Sequence, residues 1–339
     1  MLNLHKDHRN LVNIALVVFV LMSMGVAVTP ASEMERTAPL PGMEPLTAAQ
    51  RRGLQVYVAE NCMACHTQQV RNIEMDETWG ARPSMASDYY YSKQRLDVWR
   101  QSPSLLGSER TGPDLTNVGQ RQPGDQWHLL HLYDPRMVVK GSIMPRYTWL
   151  FTETGTPPKD AVIVPVPPDR LKDTSHVVIA SQAALDLVAY LVSLKQPPLP
   201  DGLVPDAFLP TPGRDKEDAS GAEGGAASLP SGDDIFKATC QACHQADATG
   251  LAGAFPPLAG SAIVNDADPA QMISIVLGGY DARAEYGVMP AQAEQLTDAQ
   301  IAAVVSHVRS NFGNEATAVT EDEVRTLRST VAPQTMLVP

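Results

Sequence analysis

The sequence has few cysteines, a deficit of basic residues and a single long apolar run. Four cysteines in 339 residues are too few for a disulfide-based scaffold. Lysine and arginine number 26 against 38 acidic residues, and the net charge of −12 excludes the basic footprint of a nucleic-acid-binding protein. A mean hydropathy of −0.14 excludes a polytopic membrane protein but leaves room for one span. The length predicts about two domains, and 44% hydrophobic residues suffice for packed cores.

All four cysteines lie in two copies of one pentapeptide, Cys62-Met63-Ala64-Cys65-His66 and Cys240-Gln241-Ala242-Cys243-His244. C-x-x-C-H is the attachment signature of c-type haem. The spacing lets both thiols add to vinyl groups on one side of the porphyrin, and the next residue places an imidazole under the iron. We therefore predict two covalent haems. Their predicted attachment and proximal-ligand residues are Cys62, Cys65 and His66, and Cys240, Cys243 and His244.

Three other readings of the cysteines compete with haem attachment. A zinc site would use all four thiols, but the two pairs lie far outside zinc-ribbon spacing. A thioredoxin-like C-x-x-C explains neither the doubling nor the histidine after each pair. Two disulfides that each close so short a loop are possible but would stabilise the chain little.

The apolar run extends from Leu11 to Val28 and meets the lower length limit of a spanning helix. Basic residues precede the run and acidic residues follow it (Lys6, Arg9, Glu33 and Glu35). The positive-inside rule then predicts that residues 1–10 are cytoplasmic and that residues 11–28 anchor the chain in the bacterial inner membrane. The haem domains would lie in the periplasm. A cleaved signal peptide is the alternative, although the run exceeds a typical h-region.

The rest of the chain predicts a mainly α fold, with two cytochrome c-like helical domains. The first spans 46–196, and helical patterns at Leu46–Asn61 and Ser181–Leu194 form its first and last helices, which we expect to pack together. Residues 197–230 are rich in proline and then glycine, which predicts a linker.

The second domain is predicted over 231–314, and residues 315–339 are predicted to be a polar tail of unknown role. The last helix of this domain is expected from Thr297 to Asn311. Thr297 is its N-cap and Gln300 occupies the capping-box position.

A haem that transfers electrons usually has two axial ligands, and methionine as the second raises the potential. Met289 and Met144 each precede a proline in a loop, and proline holds the preceding residue in an extended conformation. We therefore predict Met144 as the sixth ligand in the first domain and Met289 in the second. Weaker first-domain candidates are Met75, Met85 and Met137, and Met272 is expected in the second core. His128 and His131 are expected to be structural or interface residues, His307 to pack at a helix crossing and His176 to lie in a solvated loop.

The first domain resembles the mono-haem subunit, subunit II, of cbb3-type cytochrome c oxidases. The resemblance rests on motifs in a specific order across residues 1–196, namely Gly53-Leu54-Gln55-Val56-Tyr57, the first haem motif with Thr67-Gln68, Arg110-Thr111-Gly112-Pro113-Asp114-Leu115, Trp127-His128 and Ser142-Ile143-Met144-Pro145. The second domain is similar to a generic class I cytochrome c. The usual mono-haem subunit stops after the first domain, so the second resembles a fused entry domain.

This resemblance implies an electron-transfer subunit with two haem c groups and no catalytic residue of its own. A polytopic haem–copper subunit would reduce oxygen, a cytochrome c would donate electrons, and further cytochrome subunits could accompany them. The resemblance also implies a docking face at Arg110, Thr111, Asp114, Trp127 and Arg136, and an interfacial calcium ion near Ser108. Open alternatives are a cytochrome subunit of a nitric oxide reductase, an electron acceptor for a periplasmic dehydrogenase and a free-standing carrier.

The negative charge is concentrated in the second domain. Residues 45–196 carry 16 basic and 15 acidic side chains, whereas residues 228–315 carry 3 basic and 10 acidic ones. Long-range attraction from the acidic domain could steer a basic donor cytochrome, an effect that salt screens. The alternative is that the acidity serves only solubility.

Overall fold

The computed structural model describes residues 7–91, 107, 109–210, 231–283 and 286–331. The fold is mainly α, as predicted, with one small sheet. The chain divides into two compact units. Unit 1 comprises Met1–Thr47, Cys62–Thr116 and Gln196–Leu209, and unit 2 comprises Ala48–Asn61, Asn117–Lys195 and Pro210–Pro339.

Unit 1 begins with a long apolar helix. It consists of α1 (His8–Ser23), a π-helical segment (Met24–Val28) and α2 (Thr29–Glu35), and the Asp7 carboxylate accepts a hydrogen bond from the backbone N–H of Asn10 at its start. The continuous helix His8–Glu33 has 26 residues, and its most apolar 18-residue window has a mean hydropathy of 2.6 and no buried side chains. At 1.5 Å per residue it is about 39 Å long, enough to cross a hydrocarbon core of about 30 Å.

Unit 2 contains the predicted packing of two helices, α3 (Ala48–Ala59) and, later in the chain, α6 (Gln182–Ser193). They approach closely at Gly53, where an added Cβ would lie 1.9 Å from the Asp186 carbonyl oxygen. Arg52 donates two hydrogen bonds to the Asp186 carboxylate at 2.6 and 2.8 Å, and the rings of Tyr57 and Tyr190 lie 5.6 Å apart. Glycine at the crossing therefore lets the two helices meet.

Between these helices in sequence lie α4 (Val118–Arg121), α5 (Asp125–Tyr133) and a small antiparallel sheet. The strands are β1 (Phe151–Thr154), β2 (Ile163–Val164) and β3 (Val177–Ala180), in the order β1-β3-β2 with Phe151 opposite Ala180. This sheet was not predicted from the sequence. Ser181 follows β3 and caps α6 as predicted, since its Oγ accepts the Ala184 N–H.

A second helical cluster in unit 2 surrounds the second haem motif. Its helices are α7 (Gly232–Ile235), α8 (Gln241–His244), α9 (Ala262–Asn265), α10 (Ala270–Gly278) and α11 (Asp298–Ser310), and a π-helical turn joins α7 to α8. Gly232 lets α7 cross α11, because an added Cβ would lie 2.2 Å from the Ala303 carbonyl oxygen and 2.6 Å from the His307 Cβ. The expected capping box of Thr297 and Gln300 is present, and His307 packs at the crossing.

Residues after the predicted second domain also belong to this cluster. The predicted polar tail contains α12 (Glu321–Arg328), and Val319 and Val324 lie buried in the shared core. Arg328 donates a hydrogen bond of 2.6 Å to the Asp298 carboxylate on α11. Two buried valines and this ion pair attach residues 315–331 to the body of the domain.

Candidate haem-binding sites

The first haem motif lies in unit 1, where Cys62–Ala64 forms a 3₁₀ turn that leads to Cys65 and His66. The His66 Nδ1 lies 2.7 Å from the Pro113 carbonyl oxygen. A carbonyl can only accept, so Nδ1 carries the proton and Nε2 carries the lone pair. A proximal histidine that binds iron through Nε2 needs this tautomer and this kind of hydrogen bond. The local chemistry fits a haem held by His66.

Gly112 lets the chain pass against the His66 ring. A Cβ at this position would lie 2.4 Å from the imidazole Cε1 and 2.7 Å from Nδ1. Gly112 also donates its N–H to the Cys65 carbonyl at 2.9 Å, and the next residue, Pro113, holds the ring. The Gly-Pro pair therefore sets the orientation of the imidazole.

Asp114 fixes the segment that follows the first haem motif. Its carboxylate is buried and accepts hydrogen bonds from Thr67 Oγ1 at 2.5 Å, the Gln69 N–H at 2.8 Å and the Thr116 N–H at 2.8 Å. Arg110 pairs with buried Asp76 at 3.0 Å and lies 3.9 Å from the Asp114 carboxylate. The implied docking role of Asp114 is therefore corrected, because a buried carboxylate that is bonded within its own unit cannot contact another subunit.

Met144, the predicted sixth ligand of the first haem, lies in unit 2. It is half-buried in the loop after α5, and its N–H donates to Ser142 Oγ at 3.3 Å. Its pairing with His66 stays a prediction. The implied calcium position, near Ser108, lies outside the described residues.

The second haem motif repeats the arrangement of the first on different neighbours. The His244 Nδ1 donates to the Pro256 carbonyl oxygen at 2.9 Å, and Gly250 donates its N–H to the His244 carbonyl at 2.9 Å. Gly250 has a φ of +68°, in the left-handed region that glycine adopts without strain. Burial lowers the pKa of His244. The ring is therefore neutral at pH 7, with Nε2 as the nitrogen that can bind a metal.

One cavity of unit 2 brings the predicted second site together. It is lined by Cys240, Cys243, His244 and Met289 and otherwise mainly by apolar side chains. Met289 exchanges two backbone hydrogen bonds of 2.9 Å with Tyr280, which fixes the loop before α11. Met272 is buried in the core, as predicted, and borders the same cavity. An apolar cavity with an imidazole, two thiols and a thioether fits a covalently attached haem.

The competing readings of the cysteines find no support in the described residues. All four cysteines are unbridged, and no group of three or more histidine, cysteine or acidic side chains there could hold a metal ion. Burial raises the pKa of the Cys240 and Cys243 thiols to about 12, so both are neutral thiols at pH 7.

The other histidines have structural surroundings. His128 is buried, and its Nε2 lies 2.8 Å from the Gln122 carbonyl oxygen, while His131 stacks on Trp127. His176 lies near Glu153 and Asp173 at the surface. Of the implied docking residues, Thr111 and Arg136 are exposed.

A cytochrome c-552 of Thermus thermophilus is 34% identical to this chain over 115 residues, which are 30% of the chain and 87% of that protein. The chain belongs to the c-type cytochromes. Residues 3–160 match the family model of the cytochrome c oxidase mono-haem subunit, FixO, and residues 227–308 match that of the cbb3-type cytochrome c oxidase subunit III. The predicted fusion of a mono-haem oxidase subunit with a C-terminal cytochrome c domain is confirmed.

Further relatives of this cytochrome are cytochrome subunits of dehydrogenases. The cytochrome c subunit of a quinone-dependent alcohol dehydrogenase from Gluconacetobacter polyoxogenes is 36% identical over 118 residues, 33% of this chain and 25% of that protein. The cytochrome subunit of a fructose dehydrogenase from Gluconobacter japonicus is 33% identical over 103 residues, 28% of the chain and 21% of that protein. The chain thus spans about a quarter of these relatives.

These families imply covalently bound haem c and electron transfer within an oxidoreductase complex. The FixO match together with the apolar N-terminal helix indicates a membrane anchor.

The sequence analysis missed one set of residues at the second site. The cavity that holds Cys240 and His244 is also lined by residues from the region between the two haem motifs, namely Arg121, Gln122, Pro123, Gly124, Gln126 and Trp127. No signal in the sequence pairs these segments, which are more than 110 positions apart. The Trp127-His128 motif was noted only as part of the resemblance.

Proposed function

We propose that this cytochrome is the membrane-anchored di-haem electron-transfer subunit of a cbb3-type cytochrome c oxidase. The observation that carries the proposal is the order of the two family matches, a mono-haem oxidase subunit followed by a subunit III cytochrome domain. Electrons enter at the C-terminal haem, pass to the N-terminal haem and then reach a polytopic catalytic subunit that reduces oxygen.

The protein contributes attachment, axial ligation and a dry environment. Cys62, Cys65 and His66, with Met144, would hold one haem, and Cys240, Cys243 and His244, with Met289, the other. Haem iron supplies the one-electron chemistry. The carbonyls of Pro113 and Pro256 keep each proximal imidazole in the tautomer that can bind metal. Among the residues of this chain we assign no catalytic one.

The direction of electron flow rests on anchor and charge. The first haem motif follows the N-terminal anchor closely in sequence, whereas the second lies beyond the 197–230 linker in the acidic half of the chain. With the N-terminus in the cytoplasm, both haem domains lie in the periplasm. The acidic second domain then attracts a basic soluble donor, which raises its rate of association.

A second candidate function is the electron-acceptor subunit of a periplasmic dehydrogenase. It is favoured by the relatives named as cytochrome subunits of alcohol, fructose and gluconate dehydrogenases. A cytochrome subunit of a nitric oxide reductase is the remaining haem–copper alternative. The FixO model, in contrast, matches residues 3–160, which include the apolar N-terminal helix and the first haem motif.

Purification of the native complex in mild detergent tests the proposal. A polytopic haem–copper subunit identified by mass spectrometry, with oxygen reduced faster than nitric oxide, supports it. Co-purification with a quinoprotein or flavoprotein points instead to the dehydrogenase role, and faster reduction of nitric oxide points to a nitric oxide reductase. A pyridine haemochrome assay of this chain should give two c-type haems, and one or none would overturn the di-haem assignment.

A further inference from the structure

A hydrogen bond within unit 2 joins the start of α5 to the second haem motif. The Trp127 indole Nε1 donates to the Ala242 carbonyl oxygen at 3.1 Å. Ala242 lies between the two cysteines of the motif. The Trp127 ring also stacks on His131, with ring centroids 4.6 Å apart and planes 10° apart. The helix thus holds the indole in one orientation, with its N–H directed at the motif.

The neighbouring residue contacts the loop that carries the predicted distal ligand. A Cβ at Gly287 would lie 1.6 Å from the Gln126 Oε1 and 2.6 Å from its Cδ, so the Gln126 side chain occupies the space beside this glycine. Gly287 precedes Met289 by two residues. Two adjacent residues of α5 therefore contact both loops that enclose the second cavity, one with the thiols and one with the thioether.

We propose that residues 121–127 are the docking surface for the C-terminal cytochrome domain of the same chain, and that Trp127 is a positioning residue for electron transfer from the haem of that domain. The proposed partner is internal, namely residues 240–244 and 286–290. Both sides belong to one polypeptide, so their covalent linkage through residues 197–230 raises their effective concentration and favours even a small contact. A donor protein must then dock on another edge of the second domain.

This inference rests on the proposed function, and the step it adds transfers one electron. Haem bound at the two sites would supply the chemistry: one electron would leave the iron held by His244, which would become ferric, and reach the iron held by His66, which would become ferrous. Trp127 neither gains nor loses an electron or a proton, because its N–H stays bonded to the Ala242 carbonyl throughout. The indole acts by holding the two domains in contact.

Hydrogen–deuterium exchange of the full-length holoprotein tests the contact without any measurement of activity. Trp127→Phe removes the indole hydrogen bond, which should raise exchange at residues 239–245 and 286–290 about fivefold. Trp127→Ala removes the whole half-buried ring, and loss of this aromatic anchor should raise the exchange about thirtyfold. Trp149→Ala is the matched control, because Trp149 is exposed in the same unit and donates to the Glu60 carboxylate, and it should leave these segments unchanged.

A rescue pair tests the other half of the surface. Gly287→Ala should loosen the contact, because the new methyl group and the Gln126 side chain compete for the same space. Adding Gln126→Ala removes the competitor, so the double variant should exchange more slowly than Gly287→Ala alone. As a control, the thioether-to-iron absorption band must persist in every variant. Its persistence shows that the substitution has not displaced Met289 from the second haem.

The electron-transfer role needs a second measurement on the same proteins. After rapid photochemical reduction of one haem, equilibration between the haems should be slower in Trp127→Ala than in wild type and Trp149→Ala. Unchanged exchange in both Trp127 variants would overturn the docking surface. Increased exchange with an unchanged equilibration rate would overturn the positioning role of Trp127 in electron transfer. If two haems are still bound, either result leaves the proposed function unaffected. That function is refuted only by a haem content below two or by co-purification with subunits other than a haem–copper oxidase.

Discussion

Gly112→Ala is the sharpest probe of the first haem site, because a single methyl group would contact the proximal imidazole. The added Cβ would lie 2.4 Å from Cε1, 2.7 Å from Nδ1 and 2.9 Å from Nε2 of His66. Atoms in proteins do not approach so closely, so the ring or the backbone must move. The φ of Gly112 lies outside the left-handed region, and alanine therefore adds no backbone strain that could confuse the result.

The magnitude of the effect follows from the same geometry. Forcing a methyl group into a filled space costs about 1–3 kcal/mol. A displaced ring also lengthens the 2.7 Å hydrogen bond between Nδ1 and the Pro113 carbonyl, which contributes about 1 kcal/mol. The ring cannot turn away freely because Pro113 adjoins the substituted residue. We therefore expect both a loss of stability and a weakened bond from His66 to the first iron.

Electron paramagnetic resonance of the oxidised holoprotein and urea unfolding together provide the assay. The first haem should shift from low-spin towards high-spin, the second should keep its signal, and the urea midpoint should fall. Gly141→Ala is the matched control, since an added Cβ there meets nothing within 4 Å. If Gly112→Ala keeps both low-spin signals and unfolds at the same urea concentration as Gly141→Ala, the assigned geometry around His66 is refuted.

Three further predictions address the second site, the fold and the charge. Met289→Ala should abolish the thioether-to-iron band of the second haem, whereas Met272→Leu should keep it; retention of the band in Met289→Ala rejects that ligand. Burial and, to a smaller degree, the charge of Arg121 lower the pKa of His128 to about 4, so the unfolded chain binds one more proton between pH 6.5 and 4. The contribution of neutral His128 to the free energy of unfolding is complete above pH 6.5, and roughly 3 kcal/mol of it is lost as the pH falls to 4. In urea unfolding, the free energy of unfolding of His128→Gln should therefore depend less steeply on pH between 6.5 and 4 than that of the wild type. An equal slope in the two proteins contradicts this account. Finally, the rate of reduction by a basic donor cytochrome should fall as ionic strength rises, and a flat or rising rate would falsify electrostatic steering.

Local signals in the sequence predicted the helices well. Ser181 and Thr297 begin their helices as expected, because a side-chain oxygen three residues before a free N–H is sufficient to cap a helix. The haem motif is equally local, and the families of this chain agree with it. The sheet β1-β3-β2 was not predicted, since two of its strands have four residues and one has two, too short to show a period.

Features that depend on distant partners could not be read from the sequence. The charged composition of Glu321–Arg328 indicated a solvated tail, yet one apolar position, Val324, is completely buried against the second core. A docking role was inferred for Asp114 only from the family resemblance of its motif. The hydrogen bonds that its carboxylate accepts in the structure show that it fixes the segment after the haem motif. The packing of Gln126 against Gly287 likewise depends on segments 161 positions apart, which no local pattern connects.

The two candidate haem sites use one chemical solution in two unrelated settings. In each, a proline carbonyl accepts from the Nδ1 of the proximal histidine, which leaves both imidazoles with the same tautomer. With the proposed methionine ligands, Met144 and Met289, the two irons would share a ligand set and have similar intrinsic potentials, so the ligands alone would not impose a direction on the electron. What differs between the domains is charge: the second carries 3 basic and 10 acidic residues over 228–315, whereas the first is nearly neutral over 45–196. Negative charge stabilises the ferric form and attracts a basic donor, and both effects favour entry at the second haem and transfer towards the first.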